Sequence, residues 1–254
     1  MATFSTAMRN ASGGAQVVLL DGGTLEMLTA ADAVVSAHAL GTPAFQEPVD
    51  GVATANAVAS DEAAGGIQSF VTKNGTQSGL LIEGNTIIGW TEDPSHPLRS
   101  ASFQGIGLFD GPYTDLVIRN NIVAITHVHG IAIAGSINSI VSHNTVVDLQ
   151  PGFKWSPRIS SDTDRRGGPP VNAVVANNLA MALASNAASG LVTFTGNSLI
   201  SSPAAVFEDP AAFDYRPRAA SGFIDTADPA YAVARDVFGN ARNQTAPTAG
   251  AIEV

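Results

Sequence analysis

The chain contains no cysteine, which excludes disulfides and thiolate metal sites. Charged residues make up only 13% of its 254 residues, fewer than solvated helical faces require. Long apolar runs are also missing: the most apolar runs, such as Ile122 to Ile125, are far too short to span a bilayer, so no membrane partner is expected. The opening MATFSTAMRNASGG has neither the apolar core nor the cleavage pattern of a secretory signal. If the chain leaves the cell unprocessed, lysis is the expected route. Acidic residues outnumber basic ones by 22 to 12, for a net charge of −10. That balance disfavours nucleic acid and anionic membranes as partners. No GxSxG, P-loop or dinucleotide fingerprint is present, and nothing in the sequence implies a cofactor.

What is present suits short strands and tight turns. Hydrophobic residues reach 45%, with 25 glycines, which argues against disorder. Five segments share a form of apolar positions, a polar pair and Asn: LLIEGNTII, LVIRNNIVA, IVSHNTVVD, VVANNLAMA and VTFTGNSLI. Their asparagines are Asn85, Asn121, Asn144, Asn178 and Asn197, separated by 36, 23, 34 and 19 residues. About 20 residues is the scale of one solenoid turn, and the longer intervals would carry insertions. Asn tolerates the left-handed conformation at a corner, and its amide can bond the equivalent Asn about 4.8 Å away in the next layer. A structural ladder is therefore expected of these five. A second row runs in phase with the first: GIGLFDG from Gly105 and GIAIAGS from Gly130 lie 25 residues apart, and PRISSD from Pro157 is the expected third member.

This pattern resembles the pectate-lyase-like parallel β-helix superfamily over roughly Leu80 to Val254, most clearly from Gln104 to Leu149. The resemblance implies an all-β chain with a right-handed parallel β-helix over residues 71–206. Residues 207–254 would be a tail that covers the open last coil. In that tail Asp214, Tyr215, Ile224, Asp225, Asp236, Gly239, Asn240 and Arg242 resemble the closing segment of such proteins. Residues 1–70 read as short strand-like runs between Gly-, Pro- or Asp-rich turns. MATFSTAMRNA together with PAFQEPVDGVATANAVAS resembles the start of small phage-encoded proteins, which implies a virion-attachment segment. Those proteins continue into further strands, whereas here EAAGGIQSFVTKNGTQSG leads straight into the repeats.

Candidate chemistry clusters between Asp110 and Arg166. Asp110, His127, His129 and Asp148 are the candidate catalytic residues; His127 and His129 share parity on an extended chain. Lys154, Trp155, Arg158, Asp162 and Asp164 form a candidate glycan-contact surface, with Trp stacking on a sugar ring and charged groups meeting hydroxyls or acids. Each also has a plain structural reading. Asp110 before Gly111-Pro112 is a good turn residue, and DTDRRGGPP is a solvated loop that lacks the Gly and distal Glu of a calcium loop. No metal site is expected, because two histidines spaced H-x-H lack a third ligand.

Three functions are expected in descending order. The first is a virion structural protein, a capsid decoration or head-fibre subunit bound to the major capsid protein or another virion protein through residues 1–70. It would form a homo-oligomer, by analogy a trimer. The second is a tail spike that binds or cuts a host polysaccharide. The third is a free polysaccharide lyase or glycoside hydrolase; the hydrolase would need paired carboxylates about 5–9 Å apart, and the lyase a base and a neutraliser for the carboxylate of its uronate.

Overall fold

A computed structural model describes residues 77–89, 103–149 and 156–254 in full, together with the strands Thr24–Leu28, Val34–Phe45, Ala55–Ala57 and Gly65–Ser69. Lys154 and Trp155 lie outside the described residues. The chain is all-β in character, and its strands are short because left-handed residues break each apolar run. Gly84, Asn120, His143, Asn177 and Gly196 form one such row, with φ between 51° and 72°. Gly79, Asp115, Asn138 and Asn172 form another, with φ between 52° and 70°.

Three five-stranded parallel sheets result, and in each the strand order follows the chain. The first holds Leu81–Glu83, Val117–Arg119, Ile140–Ser142, Ala173–Ala176 and Val192–Thr195. The second holds Thr86–Ile88, Ile122–Ile125, Thr145–Asp148, Leu179–Ala180 and Ser198–Leu199. The third holds Gly65–Ser69, Gln104–Leu108, His129–Ala134, Arg158–Asp162 and Leu183–Ala184. A shorter sheet of Gln77–Ser78, Tyr113–Thr114 and Ser136–Ile137 is extended by a bridge from Ile137 to Val171. Each pass of the chain thus adds one strand to each main sheet, an arrangement compatible with a β-solenoid. The parallel pairing takes in Gly65–Ser69, ahead of residue 71. Thr24–Leu28, Val34–Phe45 and Ala55–Ala57 pair antiparallel in a separate sheet.

Register places like residues above like. Ile82, Ile118, Val141, Val175 and Phe194 form one column. Ile87, Val123, Val146, Ala180 and Leu199 form a second. Ile67, Ile106, Ile131, Ile159 and Leu183 form a third. Apart from Phe194 and Leu199 in the last layer, all three columns converge on a single core. Full burial of each Ile or Val contributes about 1.5–3 kcal/mol. The second and third sheets approach so closely at one edge that only glycine fits. A Cβ on Gly66 would stand 2.5 Å from Ile87 Cγ2, and one on Gly105 2.5 Å from Val123 Cγ1. A Cβ on Gly130 would likewise run into Val146 Cγ1.

The corner after each strand of the first sheet carries a continuous amide ladder. Asn85 donates through its backbone N and Nδ2 to Asn121 Oδ1 at 3.0 and 2.9 Å. Asn121 does the same to Asn144 at 3.0 and 2.8 Å, and Asn144 to Asn178 at 2.9 Å for both. Asn178 donates to Asn197 at 3.0 and 2.9 Å. Each of the middle amides also reaches a carbonyl two residues back and one in the preceding layer, as Asn144 reaches Ser142 O and Ile118 O. The expected left-handed conformation does not fall on these asparagines. It falls one residue earlier, on the row Gly84 to Gly196. Turning there swings the next side chain into the corner, where Asn121, Asn144 and Asn178 are fully buried.

The second sheet is buried on both faces, as parallel sheets commonly are. Its outer residues Ile122, Ala124, Val147 and Leu179 pack against Phe207, Tyr215, Ala251 and Ile252. The tail is pinned across several layers: Ala251 N donates to Thr145 Oγ1 at 2.9 Å, Gly250 N to Asn177 O at 2.8 Å, and buried Arg242 to Asn120 Oδ1 at 3.0 Å. It runs along the side of the stack rather than over its last layer, because that is where the apolar outer face of the second sheet lies.

Asn144→Ala should cost about 2–4 kcal/mol, since it strands the buried backbone N–H of Asn121 and removes the side-chain donor to Asn178 Oδ1, Ile118 O and Ser142 O. Asn197→Ala, with one ladder neighbour, should cost about 1 kcal/mol. Urea unfolding of the two variants measures the difference.

Candidate functional site

The outer face of the third sheet is built from small residues in register: Gly107, Ala132, Ser160 and Ala184. Gly107 is small because the Phe109 ring folds back over it; a Cβ there would stand 2.5 Å from Phe109 Cε2. The Phe109 ring centroid lies 5.0 Å from that of His129, which in turn meets His127 edge-on at 4.9 Å. His129 pairs across the sheet with Arg158 in the next layer. Residues 126–128 form a bend before the strand begins, so the two imidazoles meet through the turn, which His127 Nδ1 stabilises by accepting from His129 N at 3.1 Å. Phe109, His127, His129 and Arg158 thus form one cluster.

Three polar atoms of this face are buried without a hydrogen-bond partner: His129 Nδ1, Arg158 Nε and Ser160 Oγ. Buried polar groups are seldom left so, and here they lie around neighbouring layers of one sheet. Burial, reinforced by the neighbouring His129, pulls the His127 pKa down to about 4. Burial and then the Arg158 charge lower that of His129, against an opposing pull from Asp162. At neutral pH the cluster therefore offers two uncharged imidazoles, one aromatic face and one guanidinium. Those groups suit hydrogen bonding to hydroxyls and charge pairing with an anionic group.

The acidic candidates Asp110, Asp162 and Asp164 each make a local structural contact. Asp110 pairs with Arg165 at 3.4 Å, and Arg166 donates to Asp110 O at 2.9 Å. Asp164 Oδ1 accepts from Arg166 N and Gly168 N, both at 2.8 Å, closing a tight turn. Asp162 Oδ1 accepts from Asn186 N at 2.8 Å, tying it to the next layer. Asp148 ends a strand of the second sheet and is buried. The structure brings His127, His129 and Arg158 together, with Asp162 acting on His129, while Asp110 pairs with Arg165 and Asp164 closes the turn at Arg166 and Gly168. Among the described residues no group of three His, Asp or Glu side chains is placed to hold a metal.

Phe109 and Ser160 escape a sequence reading because neither stands out as chemically reactive. His143 escapes it too. It is fully buried at the corner below the tail, with its Nε2 3.0 Å from Asn177 Nδ2. Burial, with a smaller push from the Arg242 charge, takes its pKa down to about 3.

The folded chain thus keeps His143 neutral to about pH 3, whereas the unfolded chain takes up that proton near the ordinary histidine value of 6.5. Between those values the unfolded state binds more protons, so stability falls as the pH drops through that window. Adjacent layers carry Asn120 and Asn177 at the equivalent left-handed place. His143→Asn should therefore fold and lose less stability on acidification than the parent, as urea unfolding across the pH range would report. Comparison with known proteins gave no match to a family model, a curated protein or a solved structure.

Proposed function

We propose that the parallel stack is a right-handed β-helix and that the chain is a phage virion structural protein, a capsid decoration or head-fibre subunit. The residues ahead of Gly65, where the stack begins, attach it to the major capsid protein or another virion protein, and the stack projects from the particle. The observation that carries this reading is the unbroken ladder from Asn85 to Asn197. A rod whose layers are tied by buried amides holds its shape without disulfides, as a chain exposed outside a cell must. The antiparallel sheet of Thr24–Leu28, Val34–Phe45 and Ala55–Ala57 supports a separate attachment segment. The resemblance of the opening residues to phage-encoded proteins supports its destination.

A surface glycan is the proposed ligand of the His127, His129 and Arg158 cluster, where the unpartnered His129 Nδ1 and Arg158 Nε suit a saccharide. Cryo-EM of purified particles tests the location. Density for the stack over the capsid lattice is the expected result, and density confined to the tail tip would move the chain to the tail-spike reading. For the ligand, Arg158→Ala should weaken binding to host surface polysaccharide roughly tenfold or more, a loss of a charge-assisted contact. Equal binding by parent and variant, measured by calorimetry, would remove Arg158 from the contact.

A further inference from the structure

The last layer ends the stack without a cover. Phe194 continues the column of Ile82, Ile118, Val141 and Val175. Those four are buried, whereas Phe194, where the stack stops, is 41% exposed. Leu199 continues the column of Val123, Val146 and Ala180 and is 57% exposed. Leu183, heading the third column, is only partly buried. These are core positions by register, laid open because no layer follows. The backbone is open as well. Val192–Thr195 and Ser198–Leu199 stand at the ends of their sheets, and Asn197 accepts from Asn178 while meeting no further ladder amide.

We infer that this end is a docking surface for a second copy of the chain, the two meeting end to end through Val192–Thr195. Charge selects the partner. From Gly167 to Phe207 there is no Asp, Glu, Lys, Arg or His, in a chain of net charge −10. Two such acidic chains repel over most of their surface, and a neutral end is where like copies approach without that cost. A basic or acidic partner would instead be met by a complementary patch. Edge strands that stay single are usually blunted by charge, most often Lys, or by Pro; Leu183–Ser202 carries neither. Two carboxylates at the rim are already engaged: Asp228 accepts from Thr195 Oγ1 and Ala230 N, and Asp162 from Asn186 N. An edge strand that meets its own copy across a twofold axis runs antiparallel to it. The contact is self-complementary and closes at two chains. Pairing would cover Phe194, Leu199 and Leu183 together.

Sedimentation equilibrium of the full chain tests this. The expected mass at high concentration is twice the 25.9 kDa of one chain. Hydrogen exchange at 192–199 should slow as concentration rises. Phe194→Glu and Leu199→Glu should each weaken association roughly tenfold or more with an unchanged circular dichroism spectrum. Should both fail to fold, Thr193→Lys, which alters one exposed side chain on the edge strand, decides in the same way. A chain that stays monomeric at every concentration overturns the inference, even if it then binds a capsid subunit through this end. A dimer indifferent to these variants, or one that grows into open polymers, overturns it too.

Discussion

Everything in this fold depends on keeping equivalent residues of successive layers in register. A parallel strand pair gains little from its own hydrogen bonds unless the side chains above and below match in size. Here the match is carried by the corner amides. Each middle asparagine of the ladder accepts two bonds from the previous layer and donates two to the next. A slip of one residue would break the ladder and turn Ile118, Val141 and Val175 outward. The ladder therefore fixes which residues form the core, and the core fixes where the three sheets meet.

That constraint explains features with no chemistry of their own. Gly66, Gly105 and Gly130 hold a shared place because the second-sheet column presses against the third sheet there. The left-handed row accepts Gly, Asn and His alike, since only its backbone is dictated. One layer uses that freedom to seat His143 beneath the tail, beside Arg242. The tail in turn supplies apolar cover to the second sheet, which could not face water with Ile122, Val147 and Leu179 exposed. On the outer face of the third sheet His129 Nδ1, Arg158 Nε and Ser160 Oγ lack partners, and the proposed ligand is placed there.

The repeat is legible in the sequence because period and residue type coincide: an Asn flanked by β-branched pairs recurs, and GIGLF, GIAIA and PRISS follow in phase. The turn itself falls one residue ahead of the place the sequence suggests, since Asn and its predecessor are both turn formers and only backbone angles separate them. The glycine column is hidden among the other glycines of the chain. The tail's path along the second sheet is not legible, because Gly250 and Ala251 carry no mark of the layer they meet. Of the candidate site, the proximity of His127 and His129 can be read from spacing, and their link to Arg158 only from register. Asp110, Asp162 and Asp164 look like chemistry because carboxylates near glycines suit turns and active sites equally. Asp164 closes a turn, Asp162 ties two layers together and Asp110 pairs with Arg165.

The register itself can be measured directly, because the chain has no cysteine of its own. Leu81, Val117 and Ile140 face outward in successive layers of the first sheet. Paired neighbours lie about 4.8 Å apart and second neighbours about twice that, beyond the reach of a disulfide. Oxidation should link the pair Leu81→Cys and Val117→Cys, and likewise Val117→Cys and Ile140→Cys, with little effect on stability. The pair Leu81→Cys and Ile140→Cys should stay reduced. Ready linkage of that last pair, with the neighbouring pairs remaining free, would contradict the stacked arrangement.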